Sequence, residues 1–194
     1  MKKFIFNGKY DGDENTLPQR EHPEGYVPFV EPDQEKFSRI CTYGGLAIML
    51  AFAAVAFVRG AEQLKSMEYP ILIAMLLFAV SAIPHEFLHA LCFKETVYMY
   101  SALKKGLIFV IGTEDFDKGR FIFMCIFPSI VFAFIPYIVG MIFPKLAVLA
   151  VFGAMGIGGG IGDYINIINA SKQVPKDGKI YMSGFHTYWY KPQA

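Results

Sequence analysis

The sequence predicts an all-α polytopic membrane protein: four transmembrane helices, with a small β-hairpin in the cytosolic loop between the second and third. Three observations carry this. Hydrophobic residues make up 54% of the 194 positions and charged ones only 18%, against about 25% charge in ordinary soluble domains. Four apolar runs, 40–58, 70–93, 121–143 and 146–170, each suit a helix crossing a bilayer, for which about 20 residues are needed. Lysine and arginine divide fifteen to three between two sets of connecting segments.

The segments follow in order. Residues 1–39 are polar, with Pro18, Pro23, Pro28 and Pro32 spaced through acidic sequence. This reads as a cytosolic N-terminal segment with little regular structure, in which Phe4 to Tyr10 could form a short strand and turn. Asp11, Asp13 and Glu14 without an apolar stretch predict no cleavable signal peptide. The first run has no charge; the third has none either, and Pro128 and Pro136 predict kinks in it. Residues 40–170 form the membrane domain and 171–194 a cytosolic tail.

Orientation follows from the basic residues. Six lie in the N-terminal segment, five in 94–120 and four after Ala170, whereas Arg59, Lys65 and Lys145 are the three elsewhere. Both termini and the middle loop are therefore expected on the cytosolic side of a cell membrane. A net charge of +1 says nothing about nucleic acid, but there is no basic stripe to follow a phosphate backbone, and no nucleic-acid partner is expected. Cys41, Cys92 and Cys125 have no metal-like spacing and read as small membrane-buried residues.

The second run carries Pro84-His85-Glu86-Phe87-Leu88-His89-Ala90 near its end. On a helix His85 and His89 stand one above the other, with Glu86 at the edge of their face. Two imidazoles so spaced can occupy two corners of a zinc tetrahedron, and the carboxylate can serve as a base toward water. The plainer reading is a pair of buried histidines satisfied by ordinary hydrogen bonds. Inside a membrane span that reading loses ground, because ionisable groups there are costly and mark function.

A catalytic zinc needs a third protein ligand. Outside the motif, Asp163 is the only acid or histidine in the four runs. It falls in Gly158-Gly159-Gly160-Ile161-Gly162-Asp163-Tyr164-Ile165-Asn166. The second and fourth runs cross in the same direction; His85 is sixteenth in its run and Asp163 eighteenth in its own. At about 1.5 Å per residue the two sit at nearly one depth. The glycines permit close approach of a neighbouring helix. Asn166 shares the face of Asp163, and either donates a hydrogen bond to a substrate carbonyl or oxyanion, or packs helix against helix.

An H-E-x-x-H in one span and a Gly-rich G-D-x-x-N in a later one resemble the intramembrane zinc metalloproteases of the site-2 protease clan. Within it, the sequence is similar to a family of short bacterial membrane proteins described as putative zincin peptidases. The likeness covers roughly residues 71–170. It implies that His85, His89 and Asp163 bind zinc and that Glu86 activates water. Site-2 proteases carry an N-x-x-P-x-x-x-x-D-G type of sequence at the aspartate; here glycine precedes Asp163 and tyrosine follows it.

In residues 95–113, β-prone runs flank Lys104-Lys105-Gly106, which predicts a hairpin beside the motif with an edge able to pair an extended peptide. Tyr181, Tyr188, Trp189 and Tyr190 in the tail suit an interface or a short strand. The function these features predict is a zinc-dependent intramembrane endopeptidase, with the lipid bilayer around it, that hydrolyses peptide bonds of membrane-embedded or membrane-proximal protein or peptide substrates. The alternative is a membrane zinc-binding protein with a regulatory or sensor role and no peptidase activity. A metal transporter would need ionisable groups along a path, and the first and third runs have none.

Overall fold

The computed structural model describes residues 3–102 and 107–193. It is mostly helical, with two β-sheets. Seven α-helices occur among the described residues: α1 (Gln34–Arg39), α2 (Gly45–Ser66), α3 (Pro70–Leu91), α4 (Lys118–Ser129), α5 (Ile135–Ile142), α6 (Ala147–Gly159) and α7 (Ile161–Gln173). The strands are β1 (Phe4–Lys9), β2 (Val27–Pro28), β3 (Val97–Ala102), β4 (Leu107–Ile111), β5 (Phe116–Asp117), β6 (Lys179–Ser183) and β7 (His186–Tyr190). Contacts divide the chain into two compact units.

One unit comprises Pro32–His85 and Ile126–Ile165. A π-helical turn, Ile40–Gly44, joins α1 to α2, and another, Ile130–Phe134, joins α4 to α5. Three helical stretches are long and apolar enough to cross a membrane: Glu35–Ser66, Pro70–Leu91 and Lys118–Ile142. The first exceeds the expected run because Arg59 and Lys65 continue the helix as α2. Large apolar side chains stand exposed along α3, among them Leu72, Met75, Leu76 and Val80. In water each would forgo about 1.5–3 kcal/mol of burial, so a row of them suits lipid as the solvent.

The stretch expected as a fourth span is a pair of helices, bent by 49° at Gly160. It makes a fourth crossing only if the bent pair counts as one. The glycine run explains the break: glycine is a poor helix former, and here it serves packing instead. A Cβ on Gly158 would meet the Gly45 carbonyl oxygen at 2.4 Å, and one on Gly153 the Ala133 oxygen at 2.6 Å. The small residues of α6 thus bring it close to α2 and to the turn before α5. Ala56, Leu64, Ala74, Ala147, Ala150, Val151 and Phe152 form the buried centre of this unit.

The other unit comprises Met1–Glu31, Glu86–Cys125 and Asn166–Ala194. β3 and β4 pair antiparallel, Tyr98 opposite Ile111 and Ala102 opposite Leu107; the expected turn at Lys104-Lys105-Gly106 lies outside the described residues. This sheet is larger than a hairpin, because β1 joins it parallel to β3 with Phe4 beside Val97. A second sheet has the order β2-β7-β6-β5. The all-α expectation with a single hairpin is therefore corrected: chain ends distant in sequence supply the extra strands. Beneath lie Phe29, Ala90, Phe93, Val97, Phe116, Phe121, Met124, Cys125 and Ile180. Glu114, buried, accepts from the Lys94 and Glu95 amides and from Arg120. That ties the turn after α3 to the start of α4.

Candidate metal centre

The site begins with α3. Proline at its first position has its φ already set for a helix and lacks an N–H that would go unpaired there. The helix then runs unbroken to Leu91, with Pro84 inside it. His85, Glu86 and His89 consequently project from successive turns of one helix, and their ligand atoms lie within 4.8 Å of one another. His89 is buried at 7% exposure, while His85 and Glu86 are half-buried. Phe87, between them in sequence, holds its ring edge against Phe4 of β1 at 5.7 Å between centroids.

Asp163 stands in the first turn of α7. A helix start favours negative charge, since its leading amides have no carbonyl partners within the helix. Asp163 Oδ2 lies 3.6 Å from His85 Nε2, both side chains about a fifth to a quarter exposed. That separation is too long for a direct hydrogen bond, and it leaves two donor atoms of opposite character facing one region. Asn166, one turn on in α7, is half-buried.

His89 is held from behind. Its Nδ1 lies 2.9 Å from the Met124 carbonyl oxygen of α4. A carbonyl only accepts, so Nδ1 carries the proton, and in the neutral ring the lone pair is then on Nε2, the atom a metal takes. Histidines that bind metals are oriented by just such a bond from the second ring nitrogen. Two imidazoles, one fixed in this tautomer, and a carboxylate within reach of the other form a donor set that suits zinc. The residues fit the metal.

The remaining histidines are engaged elsewhere. His22 Nδ1 is 2.8 Å from the Tyr181 hydroxyl, and exposed His186 lies 4.0 Å from the Glu14 carboxylate. Among the sequence candidates, His85, Glu86 and His89 stand together and Asp163 lies against His85. Met124 was not among them. It contributes a backbone atom, which residue type does not advertise.

A family profile described as "Putative zincin peptidase" matches residues 77–178, more than half of the chain, a span that includes His85, Glu86, His89, Met124, Asp163 and Asn166. No curated protein and no solved structure matches.

Proposed function

Since the chain belongs to the family described as "Putative zincin peptidase", we propose that it is a zinc-dependent intramembrane endopeptidase of the site-2 protease type. The observation that carries this reading is the contact of His89 Nδ1 with the Met124 carbonyl oxygen, in a group whose ligand atoms lie within 4.8 Å, on a helix apolar enough to cross a membrane. His85, His89 and Asp163 would hold the zinc. When bound, zinc supplies Lewis acidity, polarising a scissile carbonyl and lowering the pKa of water toward about 7.

The chain's own groups do the rest. Glu86 takes a proton from the attacking water and passes it to the leaving amine, the two proton transfers that amide hydrolysis requires. Met124 keeps the His89 ring in place through that cycle. Asn166, one turn beyond Asp163 on α7, would donate to the substrate, with helix packing as its alternative use.

The substrate's backbone must also be made available. Amides in a transmembrane helix are all paired internally, so the substrate has to be extended locally before attack. β4 ends its sheet, and an end strand offers unpaired amides and carbonyls to an extended peptide. The substrate is therefore a membrane protein or membrane-proximal peptide. With both termini cytosolic, His85 and Asp163 lie toward the cytosolic side, from which water enters. Mapping cut sites by mass spectrometry, with chain and substrate reconstituted together, tests this. Cuts should fall within the substrate's membrane segment near its cytosolic end. Cuts confined to extracytoplasmic loops contradict it.

A further inference from the structure

α4 carries a proline in its interior, Pro128, and its side chain is fully buried. Each carbonyl in an α-helix accepts from the amide four residues on. Proline has no N–H, so the carbonyl four residues before it loses its donor, and the pyrrolidine ring crowds that same oxygen. Counting back from Pro128 gives Met124. The Met124 oxygen is the acceptor of the His89 Nδ1 hydrogen bond.

We infer that Pro128 is a positioning residue for His89. By withholding an amide from the Met124 carbonyl and crowding it away from the helix axis, Pro128 turns that oxygen toward α3. The imidazole then keeps its proton on Nδ1 and its lone pair on Nε2. This inference rests on reading His89 as a metal ligand, but its effect on the imidazole holds with or without the metal. With alanine at this position the amide would return to the ladder and compete for the Met124 oxygen, drawing it back along the axis.

A purely structural role makes a different prediction. The π-helical turn Ile130–Phe134 begins just after Pro128, and the proline could serve only to shape it. Replacement would then alter the bend of the helix without touching the tautomer of His89. Pro136 supplies the control. Counting back four residues from Pro136 gives Phe132, which packs against the cluster of Ala150 and Phe152.

The experiment uses the full chain in nanodiscs, as wild type, Pro128→Ala and Pro136→Ala. Nitrogen-15 NMR of labelled histidine in metal-free protein reads the tautomer of His89. Zinc affinity is read by competition with a chelator. Pro128→Ala should lose the single Nδ1–H tautomer and bind zinc about 10–100-fold more weakly, the loss expected when a ligand's orienting partner is removed. Pro136→Ala should change neither. Should Pro128→Ala fail to fold, Pro128→Ser and Pro128→Val, which also restore an amide at this position, are read in the same way. An unchanged tautomer in folded Pro128→Ala, or equal effects of the two proline replacements, overturns the inference. Wild type binding no zinc would instead remove the metal reading and leave the tautomer result to decide this one.

Discussion

The Asp163 carboxylate reaches to 3.6 Å from His85 Nε2, although the two residues belong to different helices, α7 and α3. One is at a helix start; the other follows a proline inside a helix. Their approach brings a carboxylate to the first histidine of the H-E-x-x-H.

Zinc content should therefore depend on all three residues. His85→Ala, His89→Ala and Asp163→Ala should each reduce zinc in purified protein to well below one ion per chain. His186→Ala should not, because His186 is exposed and lies beside Glu14. Metal analysis of protein purified without a histidine tag checks this. Full occupancy in Asp163→Ala would remove that residue from the ligand set.

The motif was legible because its information is local. Spacing four apart on a helix fixes a shared face, and charge inside an apolar run signals cost. Asp163 stood out as the one acid in its apolar run, but the depth count that matched it to His85 assumed a straight helix where the stretch bends by 49°. The pairing of β1 with β3 could not be read, because no local pattern tells Phe4 that Val97 is its neighbour. The same holds for Met124, whose part is played by a backbone oxygen, though a proline four residues later was a signal to be followed. The apolar run 146–170 concealed its break at Gly160 because hydropathy carries no information about direction.

Glu114 should matter for stability. It is buried and holds the Lys94 and Glu95 amides together with Arg120. Glu114→Ala would leave the Arg120 charge without its carboxylate, a loss of about 3–5 kcal/mol for a buried pair. Thermal unfolding in detergent should show it, while a surface pair such as Arg39–Glu35 should contribute under about 1 kcal/mol.

Glu31 predicts a pH dependence. Burial pushes its carboxyl above the usual range, and His186 and Thr187 only partly oppose this. A raised acid is favourable to the fold while protonated in both states and unfavourable once ionised, so its contribution to stability falls as pH rises through the folded-state value. Glu31→Gln, which keeps an acceptor for Thr187, should raise the Tm near pH 7 but leave it unchanged near pH 4. An equal shift at both values would contradict the assignment.

Topology follows from the basic residues. Reporter fusions at the C-terminus and in 67–69, between α2 and α3, should report opposite sides of the membrane, with the C-terminus cytosolic. Both on one side would remove the common depth of His85 and Asp163.

The most direct measurement of the central claim compares wild type with Glu86→Gln for zinc content and for cleavage of a membrane-embedded substrate. Wild type should cleave. Glu86→Gln should retain its zinc and lose turnover by orders of magnitude, at least the roughly 10²–10⁴-fold assigned to general acid–base catalysis. Cleavage that survives Glu86→Gln, or zinc-loaded wild type that cleaves nothing while its zinc responds to a partner, would contradict the account and favour a membrane zinc-binding protein without peptidase activity.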